Sequence, residues 1–171
     1  MPTISFLILT YNSAKHIDAF FDSFFSHFKQ KIEEGEYELV IVDNNSTDSS
    51  FDDIKKYLTK NNLNFTDASS KKNFPITLVK SKENLGYANG INLASALAKG
   101  KLLAVINPDA TIVKEDFRRV INFFDTHPTI AVAGLKLEDF QGKAEKSAGK
   151  FYDLLTFFAF SVGLENMFGV R

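Results

Sequence analysis

The residues in this chain best suited to chemistry are acidic and amide side chains, each set directly after an apolar run. Thr10-Tyr11-Asn12 follows the run at residues 4–9, Asp43-Asn44-Asn45 follows residues 37–42, and Asn107-Pro108-Asp109 follows residues 102–106. Apolar, β-branched runs bounded by turn formers read as buried strands. Pro108 has no amide proton for a ladder, so the last of these strands should end at or near Asn107. Asp109 then lies just past the carboxyl end of a strand expected to be central and buried on both faces. In open α/β sheets that end is where ligands bind. Two carboxylates at one edge, Asp43 and Asp109, with amides around them, suit a hard cation and a phosphorylated ligand. Mg²⁺ and Mn²⁺ take oxygen ligands and share them with substrate phosphates, so few protein carboxylates suffice. The plain alternative is that Asn-Pro-Asp is only a turn, since all three residue types favour turns.

These groups converge only if the intervening segments return the chain to the same sheet. After the first strand, Asn12 or Ser13 can cap a helix whose apolar stripe is Ile17, Phe20, Phe21, Phe24, Phe25 and Phe28. His16 and His27 lie off that stripe, as solvated positions do. Gly35 closes the unit before the second strand. A short amphipathic helix is marked by Phe51, Ile54, Tyr57 and Leu58, with Asp48 as the residue that caps it. Residues 59–75 are polar and read as a surface excursion. A third strand at 76–79 leads into the loop 82–90, where Gly86 and Gly90 suit a tight turn or a close approach. The next helix has Ile91, Ala94, Leu97 and Ala98 on its apolar side and Gly100 as its stop. A helix from about Lys114 to Asp125 carries Phe117, Val120, Ile121 and Phe124 inward. Residues 130–137 read as a fifth strand, 139–142 as a turn, and the apolar tail 151–168 as a helix. Strands alternating with helices imply a mostly parallel sheet with right-handed crossovers, which brings the three polar clusters to one edge.

Composition narrows the possibilities further. With 171 residues the chain can bury a sizeable core, and 20 basic against 21 acidic residues leave no electrostatic footprint for nucleic acid. The absence of cysteine excludes disulfides and thiolate metal sites and is compatible with a reducing, cytoplasmic location. Neither a Walker-type loop nor Gly-x-Gly-x-x-Gly follows the first strand, and no Gly-x-Ser-x-Gly elbow occurs.

Four stretches together resemble glycosyltransferase family 2: Ile-Ser-Phe-Leu-Ile-Leu-Thr-Tyr-Asn from Ile4, Val-Ile-Val-Asp-Asn-Asn-Ser-Thr-Asp from Val40, Asn-Leu-Gly-Tyr-Ala-Asn-Gly-Ile-Asn from Asn84, and Asn107-Pro108-Asp109. The Asn-Pro-Asp form, in place of an all-aspartate triplet, resembles the rhamnosyltransferase-like branch. The resemblance implies an α/β fold of GT-A type, Rossmann-like, with a mostly parallel sheet flanked by helices. It also implies an inverting, metal-dependent transfer of sugar from a UDP- or dTDP-sugar to a glycan or polysaccharide acceptor. Thr10, Tyr11 and Asn12 would border the nucleobase and ribose, and Asp43 would accept the N3–H of uracil or thymine, with Asn45 close by. Asn84, Gly86 and Asn89 would allow close approach of the nucleotide. Asp109 would hold Mg²⁺ or Mn²⁺, and Asn107 would orient Asp109 or the sugar. The match covers the nucleotide-sugar half, expected at residues 1–150. Residues 151–171 would lead toward an acceptor-binding half that supplies the catalytic base beyond Arg171. The exposed stripe at 151–168 would then self-associate or contact a membrane surface at its cytoplasmic face. The competing reading is a non-catalytic nucleotide-sugar-binding or interaction module that lacks the base.

Overall fold

The computed structural model describes residues 1–67, 74–113, 117–139 and 141–145. Two strands without any exposed residue form the centre: β1 (Ile4–Thr10) and β2 (Tyr37–Asp43). They pair in parallel from Ile4 opposite Tyr37 to Thr10 opposite Asp43, so both strands end in register at the carboxyl edge. Beyond β2 lie β4 (Ile76–Lys80) and then β3 (Thr66–Asp67), while β5 (Leu102–Val105) flanks β1 on the other side. All pairings are parallel, in the order β3-β4-β2-β1-β5. The expected mostly parallel α/β sheet is therefore observed.

The alternation of side chains along a strand divides the core into two faces. Phe6, Ile8, Leu39 and Ile41 pack with α1 (Ile17–Glu33) and α2 (Ser50–Lys60), whereas Leu7, Leu9, Val40 and Val42 pack with α3 (Gly86–Leu97). The phenylalanine stripe of α1 is buried as its spacing predicts: Phe20, Phe21, Phe24 and Phe28 are each 1% exposed or less. Phe28 meets Phe6, Phe24, Tyr37 and Phe117, the last from α4 (Phe117–Thr126), with ring centroids 4.7 to 6.2 Å apart. Burying each such ring contributes roughly 1.5–3 kcal/mol.

Several expectations from the sequence are corrected. The strand at 102–106 is the edge strand of the described sheet, not a central one. It pairs only with β1 and exposes Leu103 and Val105 at 49% and 47%. It also stops at Val105, although the Ile106 amide still donates to Leu7 O at 3.1 Å. Within 59–75, α2 runs on to Lys60 and Thr66–Asp67 joins the sheet, because backbone pairing with β4 outweighs the polar composition. Gly86 and Gly90 belong to α3 rather than to the loop before it: Gly86 opens the helix at φ 72°, and Gly90 shows the expected close approach, since a Cβ there would lie 2.5 Å from Leu9 Cδ1. Gly100 is not the stop of α3, which ends at Leu97. It lies where a Cβ would come within 2.5 Å of Ser5 Oγ and 2.6 Å of Ser5 N. Beside it the buried Glu38 carboxylate accepts from Ser5 Oγ (2.5 Å), Gly100 N (3.1 Å) and Lys99 N, joining both central strands to the turn before β5. Ile130 to Leu137 forms no strand. Val132 and Leu135 are exposed and make no ladder, and a single antiparallel bridge joins Glu138 to Ala144 around the turn at Asp139. His27 is not idle, since its ring meets Ile112 O at 3.2 Å and ties the segment after Asp109 to α1.

By compactness the chain divides into two units, Met1–Asn122 and a second beginning at Phe123. The boundary expected at residue 150 and the stripe at 151–168 lie outside the described residues. No helix among the described residues is long and apolar enough to cross a membrane.

Candidate functional site

Strand parity decides which polar residues reach the ligand edge. Thr10 and Asp43 continue the alternation of Ile8 and Ile41, so they turn toward α1 and α2. Tyr11 and Asn44 continue that of Leu9 and Val42, toward α3. The outcome is a cleft of about 510 Å³ at the carboxyl edge, walled by Tyr11, Asn12, Asn44, Asn84, Gly86 and Tyr87, with Asn107, Pro108 and Asp109 from the end of β5. Thr10 and Asp43 lie beneath this wall, both 0% exposed. A larger groove of about 780 Å³ lies between α1 and α2, among Asp18, Asp22, Tyr57 and Lys60. It contains none of the strand-end residues. There Tyr57 donates to Asp22 Oδ1 at 2.8 Å, and burial together with that carboxylate pushes its hydroxyl pKa up from the ordinary value.

Asp43 holds the turn that follows it. Its Oδ1 accepts from Ser46 N (3.0 Å), and its Oδ2 from Ser46 Oγ (2.5 Å) and Thr10 Oγ1 (3.2 Å). Asn45, at φ 63°, takes the left-handed conformation that asparagine tolerates and does not line the cleft. The loop thus fixed reaches across to the turn after β1. Asn12, also left-handed at φ 49°, caps no helix. Its Oδ1 accepts from Thr47 N (2.9 Å) and Thr47 Oγ1 (3.3 Å). Asp48 accepts from Ser50 N and Ser50 Oγ at the start of α2 and from Ala14 N at 3.2 Å. Burial works against its charge, yet these hydrogen bonds hold the carboxyl below its ordinary pKa.

On the opposite wall Asn44 does the joining. Its Oδ1 accepts from Leu85 N (2.8 Å), and its Nδ2 donates to Asn84 Oδ1 (2.9 Å) and Gly86 O (3.3 Å). Gly86, at φ 72°, adopts a backbone that side chains disfavour, and its amide donates to Asn84 Oδ1. Asn89 points back along α3 to Leu85 O and is not part of the cleft wall. At the β5 side, Tyr87 donates to Asn107 Oδ1 at 3.3 Å, while the exposed Asp109 side chain has no hydrogen bond or ion pair among the described residues.

Of the residues singled out in the sequence, the structure gathers Tyr11, Asn12, Asn84, Gly86, Asn107 and Asp109 in the cleft. It sets Thr10, Asp43, Asn45 and Asn89 outside its wall. The wall also includes Asn44, Lys15 and His16, which sequence reasoning did not select. For Asn44 the alternation of Val40 and Val42 gave no signal by itself, because β2 is buried on both faces. His16, expected to be merely solvated, stands at the end of a 3₁₀ turn, Ala14–His16, that faces the cleft.

A parallel sheet flanked by helices with an amide-lined cleft across its carboxyl edge is an open α/β domain of the type that takes ligands at that edge. The chain belongs to glycosyl transferase family 2, whose profile matches residues 5–168. It is 28% identical over 127 residues to the poly(ribitol-phosphate) beta-N-acetylglucosaminyltransferase TarS of Staphylococcus aureus, covering 74% of this chain and 20% of TarS. It is 26% identical over 131 residues to the uncharacterized glycosyltransferase YfnE of Bacillus subtilis, covering 77% of this chain and 29% of YfnE. Among solved structures, TarS residues 1–349 in complex with UDP superimposes with a TM-score of 0.55 at 27% identity, over 74% of this chain and 33% of that one. A mannosyltransferase from Pyrobaculum calidifontis, solved with GDP-Man and Mn²⁺, shares the fold with a TM-score of 0.53 at 24% identity, over 64% of this chain and 28% of that one. The chain therefore spans about a fifth to a third of the length of these relatives, and its own fold is of their GT-A type.

Proposed function

We propose that this chain carries the donor half of an inverting, metal-dependent glycosyltransferase that takes a UDP- or dTDP-sugar and passes the sugar to a glycan acceptor in the cytoplasm. Residues 1–150 form the nucleotide-sugar part, and residues 151–171 lead toward the acceptor part. The observation that carries this reading is the convergence of three strand ends on one amide-lined cleft in a family 2 chain. The complexes of TarS with UDP and with UDP-GlcNAc support a uridine donor. Asn107-Pro108-Asp109 supports the rhamnosyltransferase-like branch.

The hydrogen bonds of Asn12 and Asn84 to backbone support a particular orientation of these amides toward the ligand. Asn12 and Asn84 spend their Oδ1 atoms on backbone N–H groups, so their Nδ2 groups remain donors for ribose hydroxyl or phosphate oxygens. Tyr11 and Tyr87, 48% and 59% exposed, offer ring faces to a base. Asp43 and Thr10 act from beneath: they fix the turn from which Asn44 and Ser46 hold the two walls, and Asn89 ties the start of α3 to Leu85 O.

Among the described residues no three acidic or histidine side chains converge as a self-sufficient metal site. Asp109 is the one carboxylate in the cleft wall, and it is exposed and uncommitted. That donor set fits Mg²⁺ or Mn²⁺ only in the mode where substrate phosphates supply most ligands. Bound there, such a cation would neutralise the charge that develops on the leaving diphosphate. Asp109 would hold the cation, and Tyr87 donates to Asn107 two residues before it. The catalytic base is to be sought outside the described residues.

Calorimetry with UDP, dTDP and GDP, with and without Mn²⁺, tests the reading. Binding of a pyrimidine nucleoside diphosphate, enhanced by the metal, is expected. A folded chain that binds none of them refutes it.

A further inference from the structure

We infer that Lys15 and His16 form an anion subsite on the cleft wall, built for phosphate-ester oxygens. The inference rests on the donor reading above and goes beyond it. Polar loops at strand ends commonly hold phosphates through free backbone amides. Here the amides of the turn after β1 and of Leu85 and Gly86 are already used. On the β1 side Tyr11 N donates to Ser13 Oγ (3.3 Å), Asn12 N to Ser46 Oγ (3.0 Å), Ser13 N to Ser50 Oγ (2.7 Å) and Ala14 N to Asp48 Oδ2 (3.2 Å). Across the cleft Leu85 N and Gly86 N are taken by Asn44 and Asn84. On the β1 side an anion entering the cleft therefore has to be met by side chains.

Two of those side chains are basic. Lys15 is exposed and His16 half-buried, both line the cleft, and among the described residues neither side chain has a hydrogen bond or ion pair. Elsewhere Lys80 is committed to Ser46 O and Lys56 to Asp53. The nearest acid in sequence on the loop opposite, Asp48, is occupied by Ala14 N and by Ser50. So the wall bears two uncommitted basic groups against one carboxylate, Asp109, in a chain whose net charge is −1. The subsite holds phosphate oxygens without an intervening cation and leaves Asp109 to the metal. The phosphate comes either from the donor's diphosphate or from a phosphodiester in the acceptor.

The test compares the wild type with Lys15→Gln, His16→Gln and the double variant, by calorimetry in EDTA. The ligands are inorganic pyrophosphate, UDP, uridine and a glycerol-phosphate oligomer. Both positions are surface-accessible, and circular dichroism checks that each variant is folded. Lys15→Gln is expected to weaken pyrophosphate about tenfold and His16→Gln about threefold, with uridine unchanged. Loss for UDP but not the oligomer assigns the subsite to the donor, and the converse assigns it to the acceptor. Unchanged pyrophosphate affinity in the double variant, or an equal loss for uridine, overturns the inference. If the wild type binds pyrophosphate through these residues but no nucleotide, the donor reading fails and the subsite stands. If it binds uridine but neither anion, the subsite fails and the donor reading stands.

Discussion

Asp43 offers the sharpest test of how this cleft is built. Replacing it by alanine removes the acceptor of three donors in a fully buried place: Ser46 N at 3.0 Å, Ser46 Oγ at 2.5 Å and Thr10 Oγ1 at 3.2 Å. The two hydroxyls can turn to other acceptors, but the Ser46 amide cannot and is left stranded, at a cost of about 1–3 kcal/mol. Loss of the hydrogen bonds to the carboxylate adds about 1.5–3 kcal/mol, and the desolvation of the carboxylate that disappears with it offsets part of that sum. Asp43→Ala is therefore expected to destabilise the chain by about 2–4 kcal/mol. Asp43→Asn keeps an oxygen for Ser46 N and should cost only about 1–2 kcal/mol. Urea unfolding measures both, and uridine calorimetry on the folded variants supplies the second readout. Because Asp43 stands beneath the wall, nucleoside affinity should fall far less than stability. If either variant unfolded within about 0.5 kcal/mol of wild type yet lost uridine binding more than about tenfold, Asp43 would be a base-contacting residue. The scaffold role derived from its hydrogen bonds would then be wrong.

Asp109→Asn should abolish the metal enhancement of UDP binding while leaving uridine affinity and stability unchanged, which calorimetry with and without Mn²⁺ will show. Gly100→Ala forces a methyl against Ser5 N and Oγ and is expected to cost about 1–3 kcal/mol in urea unfolding, because backbone has to move. Phe28→Ala removes a ring packed against Phe6, Phe24, Tyr37 and Phe117, and a loss of about 3–5 kcal/mol is expected in the same assay. The Asp48 carboxyl is held below its usual pKa of 3.8, so its contribution to stability is present above that value and is lost as pH falls through the lower, folded one. Asp48→Asn should thus give a shallower acid limb when urea midpoints are compared between about pH 6 and about pH 3; identical limbs would deny the linkage.

What the sequence by itself determined is the part governed by local period and turn chemistry. Apolar runs of period two, a phenylalanine stripe at helical spacing and polar clusters after three strands specified a parallel α/β sheet with its polar residues at the carboxyl edge. Six of the ten residues chosen from those clusters and from the loop 82–90 meet in the cleft. The tertiary structure alone decided which face of the sheet the cleft occupies. Both β1 and β2 are apolar on both faces, so alternation along them told nothing of which helix covers which side. Once α3 covers the face of Leu9 and Val42, parity sends Tyr11 and Asn44 to the cleft and turns Thr10 and Asp43 away. The same holds at the sheet's margin. An apolar run of strand-forming residues reads alike whether one neighbour flanks it or two, and only the pairing of β5 with β1 alone shows Leu103 and Val105 on an open face. Side-chain capture of the turn amides was equally out of reach of sequence, because Ser46, Asp48 and Ser50 find Asn12, Ala14 and Ser13 across a separation of 34 to 37 residues. Local propensity carries no information about partners that only the fold brings together.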